Sequence, residues 1–297
     1  MYNRGRSEAD FPEGVGRVVV DRKMRGQLGQ ALADTNPDAV IDMIGFVVEE
    51  VEEVVMALPS LCHYLFFGST VIYGLIGDTT PAETSPLRPD SGYGHGKVAC
   101  EQFLLQQHRE HGLPFTCLRL AHPYGPNDHM LYLTGRESLF LDRMRKGRPV
   151  IIPGTGKSRM HPIYVKDAAR AFVYVLEREE RFGQLVNLSG PKILTLDEYY
   201  ESVARVLGVP LVAEQIPNEW FRDNSELWSN WRRNFDLGYN WVLYESAFDV
   251  SKLQQLGFQC ETDHDAGVAL TIQWLDAKGL VDESNDEDEE DQILKLL

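Results

Sequence analysis

Short apolar runs alternate with longer amphipathic stretches along most of this chain. Residues 115–120 (FTCLRL) have the length and composition of a buried strand, whereas 47–58 places apolar residues at helical spacing and stops before Pro59. This alternation is typical of a parallel sheet covered by helices. The sequence predicts strands at 17–20, 39–44, 63–67, 115–120, 150–152, 184–188 and 210–215, and helices at 23–34, 47–58, 93–111, 136–146, 167–177, 195–207 and 264–278.

The order of these elements predicts an α/β fold with a Rossmann-like doubly wound parallel sheet and a smaller C-terminal α/β substrate lobe. We expect an incomplete dinucleotide-binding domain over 1–190, with a substrate-lobe segment inserted near 128–162. The C-terminal lobe is expected over 191–281. All five tryptophans lie at or after Trp220, which supports a separate lobe there.

Composition places the chain among ordinary globular proteins, with 43% hydrophobic and 25% charged residues in a total of 297. No apolar run is long enough to cross a bilayer, and no charged-then-apolar leader opens the sequence. The four cysteines are scattered without a Cys-x-x-Cys pair, which favours a reduced, cytoplasmic protein. His108 and His111 have no carboxylate or thiol at ligand spacing, so we predict no metal site.

Half of the formal net charge of −16 lies in one segment near the C-terminal end. Residues 282–291 (DESNDEDEED) carry eight acidic residues and no basic one, which predicts a solvated, disordered tail over 282–297. The remainder still has a net charge of −8, which argues against nucleic acid or an anionic membrane as a partner.

The candidate chemistry lies in Tyr93, Lys97 and Ser69. Tyr93 and Lys97 are four residues apart, so on a helix they share one face, and an ammonium near a phenol lowers the pKa of that phenol. Ser69 ends a predicted strand, where its hydroxyl can bond to a substrate oxygen. An exposed helix pair with no chemical role would show the same Tyr-x-x-x-Lys spacing.

Several segments together resemble an extended short-chain dehydrogenase/reductase of the NAD-dependent epimerase/dehydratase family. The matching segments are 67–74 (FGSTVIYG), 84–86 (TSP), 93–97 (YGHGK), 118–126 (LRLAHPYGP), 163–169 (IYVKDAA), 186–190 (VNLSG) and 256–258 (LGF). The resemblance covers residues 1 to about 280. It implies NAD or NADP as cofactor and a small-molecule substrate with a hydroxyl or carbonyl group, such as a nucleotide sugar. Family members often form homodimers, so a homodimer is possible here.

The resemblance also implies roles for individual residues. Tyr93 would be the acid/base, Lys97 would also contact the nicotinamide ribose, and Ser69 would orient the substrate. Pro123 would lie near the nicotinamide. Arg4 follows the presumed second strand, where an arginine could pair with the 2′-phosphate of NADP, although an exposed arginine near a terminus is an equal alternative.

Three further residues are candidates for substrate binding: Thr70, His122 and Arg159. Thr70 and Val71 stand where sugar-nucleotide dehydratases carry an acidic residue, which argues against dehydration. His122 stands where epimerases usually carry asparagine, so it is either a structural histidine or a substrate contact with altered specificity. Arg159 could meet a substrate phosphate or could be an exposed loop arginine.

The glycine-rich turn of the family and the strand before it are missing from the sequence. We therefore expect a sheet that lacks its first β-α-β unit, and an N-terminally truncated chain that begins at an internal start site. Sequencing the DNA upstream of Met1 tests this expectation. We also expect weak binding of NAD and NADP and poor stability.

Two classes of function compete. The favoured one is an NAD(P)-dependent epimerase or oxidoreductase that transfers hydride while Tyr93 exchanges a proton. The alternative is a non-catalytic nucleotide- or RNA-binding member, because 140–153 and 161–196 also resemble plant chloroplast stem-loop RNA-binding proteins. Retention of Ser69, Tyr93 and Lys97, together with the acidic charge, favours the enzyme. An inactive fragment is the remaining possibility.

Overall fold

The computed structural model describes residues 2–3, 13–127, 130–132, 135–224, 245–285 and 288–297. The strands are β1 Tyr2–Asn3, β2 Val18–Val19, β3 Ala39–Asp42, β4 His63–Ser69, β5 Phe115–Leu120, β6 Pro123–Tyr124, β7 Met130–Tyr132, β8 Gly135–Glu137, β9 Val150–Pro153, β10 Arg159–Met160, β11 Ile163–Tyr164, β12 Gln184–Leu188, β13 Leu194–Thr195 and β14 Ala213–Ile216. The helices are α1 Gln27–Thr35, α2 Val48–Ala57, α3 Gly92–His111, α4 Leu139–Arg145, α5 Val165–Val175, α6 Leu196–Leu207, α7 Asn218–Asp223, α8 Ser251–Gln255, α9 His264–Lys278 and α10 Glu289–Leu294.

A four-stranded sheet in the order β12-β5-β4-β3 forms the centre of the α/β fold. β3 and β4 pair in parallel, with Ala39 opposite His63. Every residue of β5 is buried, as its apolar sequence predicts. The structure confirms the parallel α/β architecture, and the predicted strands 115–120 and 184–188 have the observed bounds.

The chain divides into two compact units. The first contains Met1–Gly74, Leu87–Arg119 and Phe172–Val186; the second contains Leu75–Pro86, Leu120–Ala171 and Asn187–Leu297. The chain passes several times from one unit to the other, and the predicted domain boundary at 190 stays a prediction. The predicted insertion near 128–162 falls within the Leu120–Ala171 segment of the second unit.

Each unit has its own apolar core. In the first unit, the buried faces of α1 and α2 pack with β4, β5 and α3; its core includes Leu32, Val54, Tyr64, Leu104 and Phe115. In the second unit, α4, α6, α9 and β9 pack together; its core includes Phe140, Ile151, Tyr200, Val268 and Ile293. Removing such side chains from water supplies most of the stability of each unit.

The prediction of a disordered tail over 282–297 is wrong for the described residues. α10 forms at Glu289–Leu294, and Ile293 is buried in the core of the second unit. The guanidinium of Arg143 is fully buried and pairs with Asp288, Glu290 and Asp291, the last at 3.0 Å. The described part of this acidic run is ordered because distant cations neutralise its charge and an apolar side chain anchors it.

Among the helices that the structure describes, none combines the length and the apolar content needed to cross a membrane.

Candidate active site

Ser69 and Tyr93 meet at the carboxyl end of β4, inside the first unit. Ser69 is the last residue of β4 and caps the 3₁₀ turn over Thr70–Tyr73, where its Oγ accepts a hydrogen bond from the Val71 amide at 3.3 Å. Tyr93 lies in the first turn of α3, which begins after Ser91; the Ser91 Oγ accepts from the Gly94 amide at 3.1 Å. The Ser69 side chain interacts with the Tyr93 phenol and favours its ionised form.

Lys97 lies one helical turn after Tyr93, but its ammonium is enclosed. Nζ donates to the carbonyl oxygens of Gly45 at 2.9 Å and Phe67 at 2.7 Å, which joins the segments that follow β3 and end β4. Nζ also lies 5.7 Å from the centre of the Tyr93 ring. Burial lowers the pKa of Lys97 because it disfavours the charged form.

The expected lowering of the Tyr93 pKa by the Lys97 ammonium is not found in this structure. Burial raises the pKa of Tyr93 above its ordinary value, and the hydrogen bond from Ser69 opposes that rise only in part. The two hydrogen bonds of the Lys97 ammonium go to backbone carbonyls. The residues around Tyr93 therefore keep its phenol protonated at neutral pH.

The other candidate in this unit is Thr70, the first residue of the 3₁₀ turn. It is 6% exposed, so its side chain contributes to packing of the turn. A contact between Thr70 and a substrate stays a prediction. Arg4 lies outside the described residues, and its proposed contact with a cofactor phosphate stays a prediction as well.

Pro123 and His122 lie in the second unit. Pro123 belongs to β6, which pairs in parallel with β11, and the Ile163 amide donates to the His122 carbonyl oxygen at 3.1 Å. His122 is buried, and its Nε2 lies 3.0 Å from the Ser246 Oγ. Its φ of 38° falls in the left-handed region, which asparagine tolerates better than most residues. These contacts favour the structural interpretation of His122.

Arg159 also lies in the second unit and is held by its neighbours. Its Nε pairs with the Glu245 carboxylate, and Nη2 donates to the Thr79 carbonyl oxygen at 3.2 Å. Nη1 lies 3.4 Å from the Thr80 Oγ1. Arg159 is thus tied to a loop in this structure, and its contact with a substrate phosphate remains a proposal.

Sequence reasoning missed a buried charged network next to Ser69 and Tyr93. Arg119 on β5 donates from Nη2 to Glu101 at 2.8 Å and from Nη1 to the Tyr73 hydroxyl at 2.7 Å. It thereby connects β5, α3 and the turn that follows Ser69. An arginine inside the apolar run 115–120 was the available signal, because a buried guanidinium needs a carboxylate partner.

A cleft lies elsewhere, between α6 and α9 of the second unit. Its volume is about 290 Å³, and Lys192, Glu198, Arg205 and His264 are among its lining residues. None of the predicted catalytic, cofactor-binding or substrate-binding residues lines this cleft. No group of three or more histidine, cysteine or acidic side chains is placed to hold a metal ion within the part of the chain described here.

A parallel sheet with helices at its faces, and with a serine–tyrosine pair at the carboxyl end of a strand, defines a Rossmann-like α/β protein. The chain belongs to the NAD dependent epimerase/dehydratase family, whose model matches residues 3–189. The family assignment that the sequence motifs suggested is thereby confirmed.

Individual relatives differ in what they do. The chain is 32% identical over 203 residues to the chloroplast stem-loop binding protein of 41 kDa b of Arabidopsis thaliana, a match covering 68% of this chain and 51% of that protein. It is 26% identical over 244 residues to the 2′-dehydrokanamycin reductase of Streptomyces kanamyceticus, covering 80% and 69%. The chain thus spans about half to two thirds of the length of these relatives.

Solved structures share the fold at low sequence identity. An epimerase of Methanothermobacter thermautotrophicus superposes with a TM-score of 0.70 at 16% identity, over 91% of this chain and 81% of that one. The dTDP-glucose 4,6-dehydratase of Bacillus anthracis, in complex with NAD, superposes with a TM-score of 0.68 at 18% identity, over 88% and 79%. These likenesses confirm the Rossmann-like fold.

Proposed function

We propose that this chain is an NAD(P)-dependent oxidoreductase or epimerase that acts on a hydroxyl or carbonyl group of a nucleotide-sugar-like substrate. The observation that carries the proposal is the placement of Ser69 at the carboxyl end of β4 beside Tyr93 of α3, with Lys97 one turn further along α3. Cofactor and substrate sites of open α/β sheets lie at such strand ends.

The side chains around Tyr93 fit a flat, partly apolar cofactor. Tyr93 is 42% exposed, and the apolar residues at the end of β3 and in the loop after it are exposed to a similar degree; they are Ile41, Met43, Ile44, Phe46 and Val47. Of these residues, Phe46 has its ring centre 5.8 Å from that of Tyr93, and an exposed apolar surface beside a hydroxyl group is typical of a ligand-binding site. A glycine-rich turn to hold the pyrophosphate is missing from the sequence, so the fit concerns the nicotinamide end.

In this proposal, NAD or NADP supplies or accepts the hydride when bound. Tyr93 is protonated at neutral pH, and it donates a proton to the substrate carbonyl oxygen as that oxygen becomes a hydroxyl. The Ser69 hydroxyl bonds to the same oxygen and fixes its position. Lys97 fixes the ends of β3 and β4 through the Gly45 and Phe67 carbonyls, which sets the distance between the two hydroxyl-bearing elements.

Dehydration is the least favoured of the family's reactions. Thr70 and Val71 follow Ser69, and neither side chain can exchange a proton near neutral pH. Epimerisation and reduction need only the proton exchange that Tyr93 offers. The choice between NAD and NADP and the formation of a homodimer stay predictions.

Calorimetric titration of the chain with NAD and NADP, followed by turnover assays with UDP-glucose and dTDP-glucose, tests the proposal. We expect cofactor-dependent turnover that the Tyr93→Phe variant reduces by about 10²- to 10⁴-fold. Tyr174→Phe removes another phenol of the same unit and should leave turnover unchanged. Turnover that survives in Tyr93→Phe would reject Tyr93 as the acid/base.

A second candidate function is RNA binding without catalysis. The similarity to the Arabidopsis stem-loop binding protein, at 32% identity, favours it. A gel-shift assay with a stem-loop RNA separates the two functions. Tight, salt-dependent RNA binding without any cofactor-dependent turnover would replace the enzymatic proposal.

A further inference from the structure

The segment that follows β3 covers the ammonium of Lys97. The Gly45 carbonyl oxygen accepts a hydrogen bond from Nζ at 2.9 Å, and Nζ lies 5.1 Å from the centre of the Phe46 ring. The same ring lies 5.8 Å from the centre of the Tyr93 ring. Phe46 is 45% exposed, so one side of its ring faces solvent while the other faces the lysine.

Other aromatic rings enclose the remaining sides of the ammonium. Nζ lies 4.6 Å from the centre of the Phe66 ring and 5.5 Å from that of Phe67. Aromatic faces attract a cation, which helps to keep a charge in a site without exposure to water. Lys97 is 0% exposed as a result. A ligand cannot touch Nζ while these rings stay in place, and Phe46 is the only one of the three phenylalanines here that is largely exposed.

The position of Phe46 depends on a close approach to α3. A Cβ atom added at Gly96 would lie 2.3 Å from the Phe46 carbonyl oxygen, a distance that no side chain can occupy unless the backbone shifts. Gly96 directly precedes Lys97 in α3. The glycine therefore lets the loop rest against the helix at the point where the lysine leaves it.

We propose that Phe46 is a positioning residue of the candidate site: resting on Gly96, it covers the Lys97 ammonium, and its displacement determines when that ammonium can reach a bound ligand. The meaning of this cover for catalysis rests on the proposed function. The enclosure of Lys97 is a separate property that can be measured without turnover.

Trace acetylation with acetic anhydride at about pH 10, read by mass spectrometry, measures how accessible each lysine is. In the full chain we expect Lys97 to react far more slowly than Lys157, whose side chain is 71% exposed. Phe46→Ala should raise the rate at Lys97 severalfold, and Phe46→Tyr, which keeps the ring, should restore protection. Val47→Ala changes a neighbouring exposed side chain and is the matched control.

A pair of glycine variants tests the contact between loop and helix. Gly96→Ala should push the loop away and expose Lys97 although Phe46 is retained. Gly92→Ala adds the same methyl group to the same helix where nothing lies within 4 Å, so Lys97 should stay protected. Equal reactivity of Lys97 and Lys157 in the unaltered chain, or unchanged protection in both Phe46→Ala and Gly96→Ala, would overturn the proposal.

Loss of the proposed function would leave a different signature. If no hydride transfer is found but the labelling pattern is as expected, the enclosure of Lys97 by Phe46 is supported and the proposed enzymatic function is rejected. If the unaltered chain is active, we expect Phe46→Ala to change KM for NAD while kcat is largely kept, because the ring controls access to Lys97 and does not touch the proton that moves.

Discussion

Arg119 and Glu101 form a buried ion pair in which both side chains are 2% exposed. The guanidinium donates from Nε to both carboxylate oxygens at 3.2 Å and from Nη2 to one of them at 2.8 Å. Because Glu101 lies on the same helix as Tyr93, this pair fixes α3 against β5. The position of α3, and with it that of Tyr93, thus depends on an ion pair that is almost completely buried.

Arg119→Met should destabilise the protein by roughly 3–5 kcal/mol, because it leaves the Glu101 carboxylate buried without its cation. Urea unfolding measures the change in free energy. Arg145→Met is the matched control, since Arg145 and Asp276 pair on the surface with side chains 33% and 45% exposed. A loss of about 1 kcal/mol or less is expected there. Equal losses in the two variants would contradict the burial argument.

The phenol of Tyr93 should titrate above the usual range for tyrosine, about pH 10, in the ligand-free protein. Burial disfavours the phenolate more than the Ser69 hydrogen bond favours it. The difference in ultraviolet phenolate absorbance between the unaltered chain and Tyr93→Phe reports this titration. A transition near neutral pH would show that Lys97 acidifies the phenol after all.

His161 should make the protein less stable in mild acid. Burial lowers the pKa of His161 to about 4, and its Nε2 lies 2.8 Å from the Gly190 carbonyl oxygen. Between about pH 6.5 and 4 the unfolded chain binds a proton that the folded chain does not, so stability falls as pH falls through this window. Denaturant unfolding at several pH values should show a contribution of up to about 3 kcal/mol. His161→Gln should flatten that slope, and an unchanged slope would exclude His161 as its source.

Ile293 should anchor the C-terminal helix. It is 1% exposed in the core of the second unit, so Ile293→Ala should cost about 2–5 kcal/mol through lost burial and the cavity left behind. Leu296, in contrast, is 59% exposed, and Leu296→Ala should change stability by less than about 0.5 kcal/mol. Thermal unfolding compares the two. Equal midpoints for both variants would mean that α10 does not contribute to the fold.

His122→Asn should be tolerated, whereas His122→Val should lose about 1–2 kcal/mol. The φ of 38° at this position suits asparagine and opposes a β-branched side chain. Denaturant unfolding of the two variants gives the order of their stabilities. A valine variant as stable as the asparagine variant would show that the backbone relaxes without cost.

The sequence predicted correctly those strands and helices whose pattern of apolar residues lies within the element itself. The run 115–120 is mostly apolar and its bounds match those of β5, and the helical pattern 264–278 matches α9. The prediction of a disordered tail after residue 281 failed because Arg143, the cation that pairs with this acidic segment, lies about half the chain away in sequence. Similarly, the spacing of Tyr93 and Lys97 predicted a shared helix face but not the direction of the ammonium, which backbone carbonyls from two other segments determine.

The left-handed backbone at His122 has an evolutionary consequence. Codons for histidine and asparagine differ by one base, and the main-chain geometry accommodates both residues. A lineage can therefore exchange an imidazole for a carboxamide at this position in a single mutational step, without rebuilding the strand that follows. Such a site lets natural selection explore new chemistry while folding is preserved.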